Sequence, residues 1–217
     1  SKLEFRVAGF LAKDAQAYID VKDGTDVHNY TASVIGCTRQ EAKAHTFKPL
    51  YGGTTGTEAQ QRYYRAFKQK YEGVTHWHDD LQRMAVERRV IALPSGREYA
   101  FPDARWTKYG TATHRTSICN YPVQGFATAD LLPIALVALE KVVRDSGVRS
   151  VICNTVHDSI VMDVHPDEKD ICIDMMKHAM LSLPFETVRR YGVTYDMPVG
   201  IEIKAGKNWL DLHEVEL

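Results

Sequence analysis

The chain has 217 residues, 44% of them hydrophobic and 25% charged, with a formal net charge of -1. That is ordinary globular composition, and it excludes disorder, a collagen-like repeat and a disulfide-stapled mini-protein. The longest apolar run, Leu131–Leu139, spans nine residues and contains Pro133, well short of the roughly 20 that a membrane helix needs.

The length suits one large domain or two small ones. Cys37, Cys119, Cys153 and Cys172 form no C-x-x-C pair. Neither a zinc knuckle nor a redox dithiol is indicated, and reduced thiols in an intracellular, cytoplasmic setting are expected. The first residues carry no initiator Met and no signal-peptide layout. The chain opens inside an organised segment, so it is expected to belong to something longer.

The near-zero net charge hides an uneven distribution. Residues 39–115 hold 14 basic against 8 acidic side chains, while the remainder holds 13 basic against 20 acidic. A basic middle can lie against phosphates, and acidic flanks can hold metal ions or simply face water.

In chain order, Leu3–Phe10 reads as a strand running into a helix through Tyr18, and Asp23-Gly24-Thr25 reads as a turn. Tyr30–Leu50 is helical with a break near Gly36-Cys37-Thr38. There Thr38 caps a new helix and Glu41 completes a capping box. Pro49 lies near the end of that helix, and Gly52-Gly53 closes it. Thr57–Tyr71 and His78–Arg89 are two further helices. Val90–Leu93 and Glu98–Phe101 flank a turn at Pro94-Ser95-Gly96-Arg97.

Trp106–His114 is a loop, and Phe126–Arg144 is a long helix running on from Asn120–Val123. Ser150–Val156 and Ser159–Val164 are β-branched runs that form a hairpin with His157-Asp158 at its tip. Glu168–Leu183 is a helix and Val199–Lys204 a closing strand. A helix-rich middle between strand-containing ends predicts an α+β fold with one domain inserted into another.

Arg39, Lys43, Phe47 and Tyr51 recur at steps of four. On one helix they form a drifting stripe of two cations and two rings over about 18 Å. Two cations can hold a polyphosphate, and a ring can stack on a base. The stripe therefore fits a nucleoside triphosphate better than it fits a surface helix, which would have to bury two charges. Asp158 is well placed for Mg²⁺, which favours hard oxygen ligands, although hairpin tips also carry Asp for backbone reasons. One carboxylate does not make a two-metal site.

Asn120 and Gln124, spaced i,i+4 with Arg115 upstream, suit base edges or phosphates, and equally suit a helix cap and surface. His76, His78, Asp79 and Asp80 read as a solvated loop leading into a helix. His28 reads as a buried hydrogen-bonding residue.

The string Arg39-x3-Lys43-x3-Phe47-x3-Tyr51-Gly52 resembles the fingers helix of the family A, DNA polymerase I-like enzymes. Three further segments resemble that family in the same order. They are SKLEFR at Ser1–Arg6, NYPVQGFATAD at Asn120–Asp130 and VHDSIV at Val156–Val161. GKNW at Gly206–Trp209 is similar to the usual close of such chains.

The resemblance implies a palm with an antiparallel sheet in residues 1–30 and 115–217, and an inserted, mainly helical fingers subdomain in residues 31–114. It implies template-directed nucleotidyl transfer with two Mg²⁺ ions, and primer-template DNA and dNTPs as partners. Arg39 and Lys43 would hold the triphosphate, Phe47 would pack by sugar and base, and Tyr51 would sit at the template–primer junction. Glu4 would be the steric gate against a ribose 2'-hydroxyl, Arg6 a palm support and DNA contact, and His28 a phosphate contact. Arg115, Asn120 and Gln124 would touch the duplex. His157 would lie near the primer terminus, and Asp158 would ligate the metals.

The sequence also departs from the family pattern. The family's first catalytic aspartate falls two positions before Ser1, so an upstream segment or a partner chain would have to supply it, together with the thumb. Ser159 stands where the family usually has Glu, and a hydroxyl supplies no negative charge. Arg115 lies five residues before Asn120 rather than four. The single Gly96-Arg97 replaces a longer arginine run, as in a phage-like branch. A non-catalytic remnant that binds DNA or nucleotide is the alternative. A metal-dependent nuclease would need a carboxylate cluster that the sequence does not offer.

Overall fold

The computed structural model describes residues 2–216, with the Lys2 side chain set aside. The chain divides into two compact units, Ser1–Ala127 with Asp196–Pro198, and Thr128–Tyr195 with Val199–Leu217. None of the described helices is long and apolar enough to cross a membrane.

The first unit is built on two helical elbows. Helices α1 (Lys2–Ala12) and α2 (Ala15–Lys22) form one, and α5 (Glu58–Lys70) and α6 (Glu72–Arg88) form the other. The expected strand at Leu3–Phe10 is instead the body of α1. Val7 and Ala8 are both fully buried, whereas a strand would point them to opposite faces. Gly9 tightens the elbow, because a Cβ there would lie 2.9 Å from both the Ala17 Cβ and the Met197 side chain.

Two buried carboxylates join the elbows. Asp14 caps α2 by accepting from the Ala17 N–H at 2.8 Å, and its other oxygen accepts from the Val74 N–H in the first turn of α6 at 3.0 Å. Asp20 accepts from the Tyr71 hydroxyl at 2.7 Å and from Gln16 at 2.8 Å, and it pairs with Lys70 at 2.7 Å. Burial opposes its ionisation, but the hydrogen bonds from Lys70, Tyr71 and Gln16 outweigh that and hold the Asp20 carboxyl below the usual range. Around these groups pack Phe5, Tyr63, Phe67 and Tyr71, in edge-on or tilted ring contacts.

Between the elbows lie α3 (Val27–Ile35) and α4 (Arg39–Thr46). Gly36 ends α3 at φ 82, and Thr38 starts α4 with the capping box expected from the sequence. Glu41 N–H donates to the Thr38 hydroxyl at 3.3 Å, and Thr38 N–H donates to the Glu41 carboxylate at 2.9 Å.

Helix α6 begins at Glu72, so the segment read as a loop at His76–Asp80 is helical, and His78 is buried. Strands β1 (Val90–Ala92) and β2 (Glu98–Ala100) pair as an antiparallel hairpin, and Phe101 packs with Leu81, Ala85 and Ile118. Helix α7 (Arg115–Gln124) contains Pro122 and runs into a π-helical stretch, Gly125–Leu131. Proline removes one backbone donor from the ladder. Gly125 lets the Tyr99 hydroxyl rest against the backbone where a Cβ would clash.

The second unit contains α8 (Leu132–Ser146), the hairpin β3 (Val151–Val156) and β4 (Ser159–Asp163), α9 (Lys169–Leu181) and α10 (Leu183–Tyr191). Helix α10 does not emerge from the sequence pattern. Pro184 sits in its first turn, where a missing N–H costs little, so a new helix starts where the previous one stops. Ile152, Ile160 and Met162 lay the hairpin against Leu139, Met175 and Ala179. The pairing shifts register between Ile152 and Asn154, a bulge that twists the hairpin.

The closing strand expected at Val199–Lys204 reduces to a short pair, β5 (Lys204–Ala205) with β6 (His213–Glu214). Val215 N–H adds one bond to the Ile203 carbonyl at 2.8 Å. A partner of two residues leaves most of the predicted run without a ladder.

The base of the β3–β4 hairpin is pinned by Glu168. Its carboxylate accepts from the Arg149 N–H at 3.0 Å, the Ser150 N–H at 2.9 Å and the Ser150 hydroxyl at 2.7 Å. The Ser150 oxygen in turn accepts from the His165 N–H at 3.0 Å, which closes the far strand. The Ser150 hydroxyl and the Arg149 N–H draw the Glu168 carboxyl down to about 2.

Two expectations follow. Thr38→Ala should destabilise the first unit by about 1 kcal/mol, with Thr38→Ser near wild type, in urea unfolding followed by circular dichroism. A depressed carboxyl contributes stability above its unfolded value that is lost on acidification. The wild-type urea midpoint should therefore fall as pH drops from 4.5 toward about 2. Glu168→Gln should start lower at pH 6 and show a shallower fall over that window, and an unchanged acid limb would remove this role for Glu168.

Candidate nucleotide-binding site

Arg39 opens α4, and Lys43 follows one turn later on the same helix, both exposed. The stripe read from the sequence does not continue as one helix. Helix α4 stops at Thr46, Phe47 is its C-cap, and Tyr51 ends a separate 3-10 turn, Pro49–Tyr51. Proline cannot donate to the ladder, and Gly52 then takes φ 75, which turns the chain away.

Three of the four stripe residues, Arg39, Phe47 and Tyr51, each meet a residue from the first thirty positions. The Arg39 Nε donates to the Asp26 carboxylate at 2.8 Å. The Phe47 ring stands edge-on to His28 at 5.4 Å. The Tyr51 hydroxyl donates to the Glu4 carboxylate at 2.5 Å. Burial, and then the Glu4 carboxylate, push the Tyr51 phenol far above its ordinary range, so it is a neutral donor at any working pH.

His28 is buried as expected, with its Nδ1 2.9 Å from the Thr46 hydroxyl. The same Thr46 oxygen lies 3.0 Å from the Thr31 hydroxyl and 2.9 Å from the Ala42 carbonyl, alternative acceptors for its one proton, so this hydroxyl joins α3 to α4. Burial lowers the His28 pKa, and Arg39 and Lys43 add to that effect.

Asp26 has two tasks. One oxygen caps α3 by accepting from the His28 and Asn29 N–H groups at 2.9 and 3.2 Å, and the other holds Arg39. Nothing in the sequence spacing signals a pair 13 residues apart.

Helix α7 backs this region. A Cβ on Gly52 would lie 3.1 Å from the Cys119 sulfur and 3.6 Å from the Arg115 Nε. Among the described residues the Arg115 Nε and the Asn120 Oδ1 are buried without a hydrogen-bond partner. Buried polar atoms are ordinarily satisfied, so these two stand out as unmet polar groups on α7. Gln124 is exposed on the same helix, and Arg6 is half-buried on α1.

In the second unit, His157 and Asp158 form the exposed tip of the β3–β4 hairpin. His157 has φ 53, a left-handed conformation that costs a side-chain-bearing residue roughly 1 kcal/mol. The Ser159 hydroxyl donates to the Val156 carbonyl at 2.7 Å, which ties it to the turn. Asp158 offers hard oxygens suited to a divalent cation. Among the described residues no group of three or more His, Cys, Asp or Glu side chains converges to hold a metal.

The sequence matches the family model of DNA polymerase family A over residues 1–211. It is 29% identical to DNA polymerase I of Pseudomonas aeruginosa over 98% of this chain and 24% of that protein. It is 26% identical to DNA polymerase I of Lactococcus lactis, over 97% of this chain and 25% of that protein. The chain thus spans about a quarter of the length of these curated relatives.

Among solved structures it superimposes on the POL domain of Pol1 from M. smegmatis, in complex with DNA primer-template and dNTP. The TM-score is 0.71 at 21% identity, over 86% of this chain and 35% of that one. That likeness gives the fold, mostly helical with short antiparallel sheets. The family match over nearly the whole sequence gives the lineage: this chain belongs to DNA polymerase family A.

Proposed function

We propose that the chain serves template-directed DNA synthesis, in which deoxynucleotides are transferred to a primer 3'-hydroxyl. The observation that carries this reading is the exposed pair Arg39 and Lys43, one helical turn apart on α4 in a family A chain. Two cations at that spacing can grip a polyphosphate at two points, and the guanidinium adds a planar fork. In this reading residues 1–30 and 115–217 are palm and residues 31–114 are fingers.

The Phe47 ring, braced by His28, would set the position of the incoming sugar and base. Glu4, held by the Tyr51 hydroxyl, would stand against a ribose 2'-hydroxyl, because a fixed carboxylate leaves no room to yield. The same bond would keep Tyr51 at the template–primer junction. Arg115, Asn120, Gln124 and Arg6 would contact the duplex, with primer-template DNA and dNTPs as partners. His157 would lie near the primer terminus.

Asp158 would be one metal ligand, and the reading requires a second carboxylate facing it. Mg²⁺, as two ions, would supply charge neutralisation on the attacking and leaving oxygens. The four free cysteines fit an intracellular setting.

A second reading is a non-catalytic nucleotide- or DNA-binding module. It is favoured by Ser159, whose hydroxyl is bonded to Val156 and supplies no negative charge.

Primer extension with Mg²⁺ and all four dNTPs tests both. Lys43→Ala and Asp158→Ala should each lower incorporation by about 10²-fold or more. Full activity in Lys43→Ala would sink the triphosphate assignment. Nucleotide or DNA binding without any extension, persisting when flanking polymerase segments are supplied, would favour the second reading.

A further inference from the structure

Among the site contacts, the one between Asp26 and Arg39 works against the proposed ligand. Arg39 is the first cation a triphosphate would meet on α4, yet its guanidinium Nε is bonded to the Asp26 carboxylate at 2.8 Å. The pair is open to solvent, with side-chain exposures of 45% for Arg39 and 31% for Asp26. Exposed pairs of this kind are weak and exchange readily. Asp26 itself does not move freely, because its other oxygen caps α3 through the His28 and Asn29 N–H groups. The mobile partner is therefore Arg39, which sits at the end of a long exposed side chain. Lys43, one turn along, has no such carboxylate partner among the described residues.

We propose that Asp26 is an internal competitor for Arg39, so that nucleotide binding at this point is an exchange of one anion for another. The carboxylate parks the guanidinium on the α3 cap until phosphate oxygens draw it away. Asp26 is thus a positioning residue that acts through Arg39 and sets how readily a polyphosphate engages the fingers. The idea rests on the triphosphate role of Arg39 proposed above. Burial opposes ionisation of Asp26, but Arg39 and the α3 N–H groups outweigh it and keep the carboxyl below its usual range. The competitor is therefore charged wherever the protein is folded near neutral pH.

Asp26→Asn separates the two tasks of the residue. Asparagine is as good a helix cap as aspartate, so α3 keeps its start, while the charge that holds Arg39 is lost. The measurement is dGTP affinity by calorimetry at low salt for wild type, Asp26→Asn, Arg39→Ala and the double variant, with thermal melting alongside. The expected result is dGTP bound about two- to fivefold more tightly by Asp26→Asn, with melting unchanged. The gain should vanish in the Arg39→Ala background, which is the coupling a double-mutant cycle reads. Deoxyguanosine, which lacks phosphates, should show no gain.

Weaker or unchanged dGTP binding in Asp26→Asn would overturn the proposal, since Asp26 would then orient Arg39 or be irrelevant to it. A gain that survives in the double variant would also overturn it, because the effect would be general repulsion rather than competition for Arg39. If Arg39→Ala alone leaves dGTP affinity unchanged, the triphosphate role of Arg39 fails first, and the competition fails with it.

Discussion

Two carboxylates inside the first unit, Asp14 and Asp20, hold its helices in register. An ionised carboxylate left without partners in a protein interior costs several kcal/mol, so each must be met by donors from more than one element. Asp14 joins the start of α2 to the start of α6, and Asp20 joins α2 to Lys70 and Tyr71 at the α5–α6 elbow. Gly73 permits the first of these contacts, since a Cβ there would crowd Asp14. The aromatic core of Phe5, Tyr63, Phe67 and Tyr71 packs on that frame, and α1 carries Glu4 from it toward Tyr51.

The candidate site is organised by contacts between the first thirty residues and the segment after Thr38. Glu4 meets Tyr51, Asp26 meets Arg39, and His28 meets both Thr46 and Phe47. Each joins residues far apart in sequence, and each constrains a side chain whose role depends on its position. The hairpin tip in the second unit follows a different rule. Its base is fixed by Glu168 and Ser150, while His157 and Asp158 stay exposed with a strained backbone at the turn. A rigid base with an accessible tip is a workable way to present a carboxylate to a cation.

Much of this was legible from residue types and spacing. The Thr38/Glu41 capping box, the β1–β2 hairpin and the β3–β4 hairpin each depend on neighbours within a few positions, and each appears as expected. The ordered motifs also sufficed to name the family. The misreadings have a common cause. Leu3–Phe10 looked like a strand because its apolar content fits either element, and only the partners of Val7 and Ala8 decide for a helix. The stripe from Arg39 to Tyr51 holds only on an ideal helix, and Pro49 and Gly52 divide it between a helix and a 3-10 turn.

By itself, then, the sequence determined the capping box, the two hairpins, the basic middle and the family. Capping, turn chemistry and motif spacing all act over short stretches of chain. Tertiary structure alone decided that Asp26 holds Arg39, that Glu4 holds Tyr51, and that Glu168 pins a hairpin 18 residues upstream. These pairs form only when separate helices and strands pack, because ion pairs and hydrogen bonds need atoms within about 3 Å and chain separation carries no record of that.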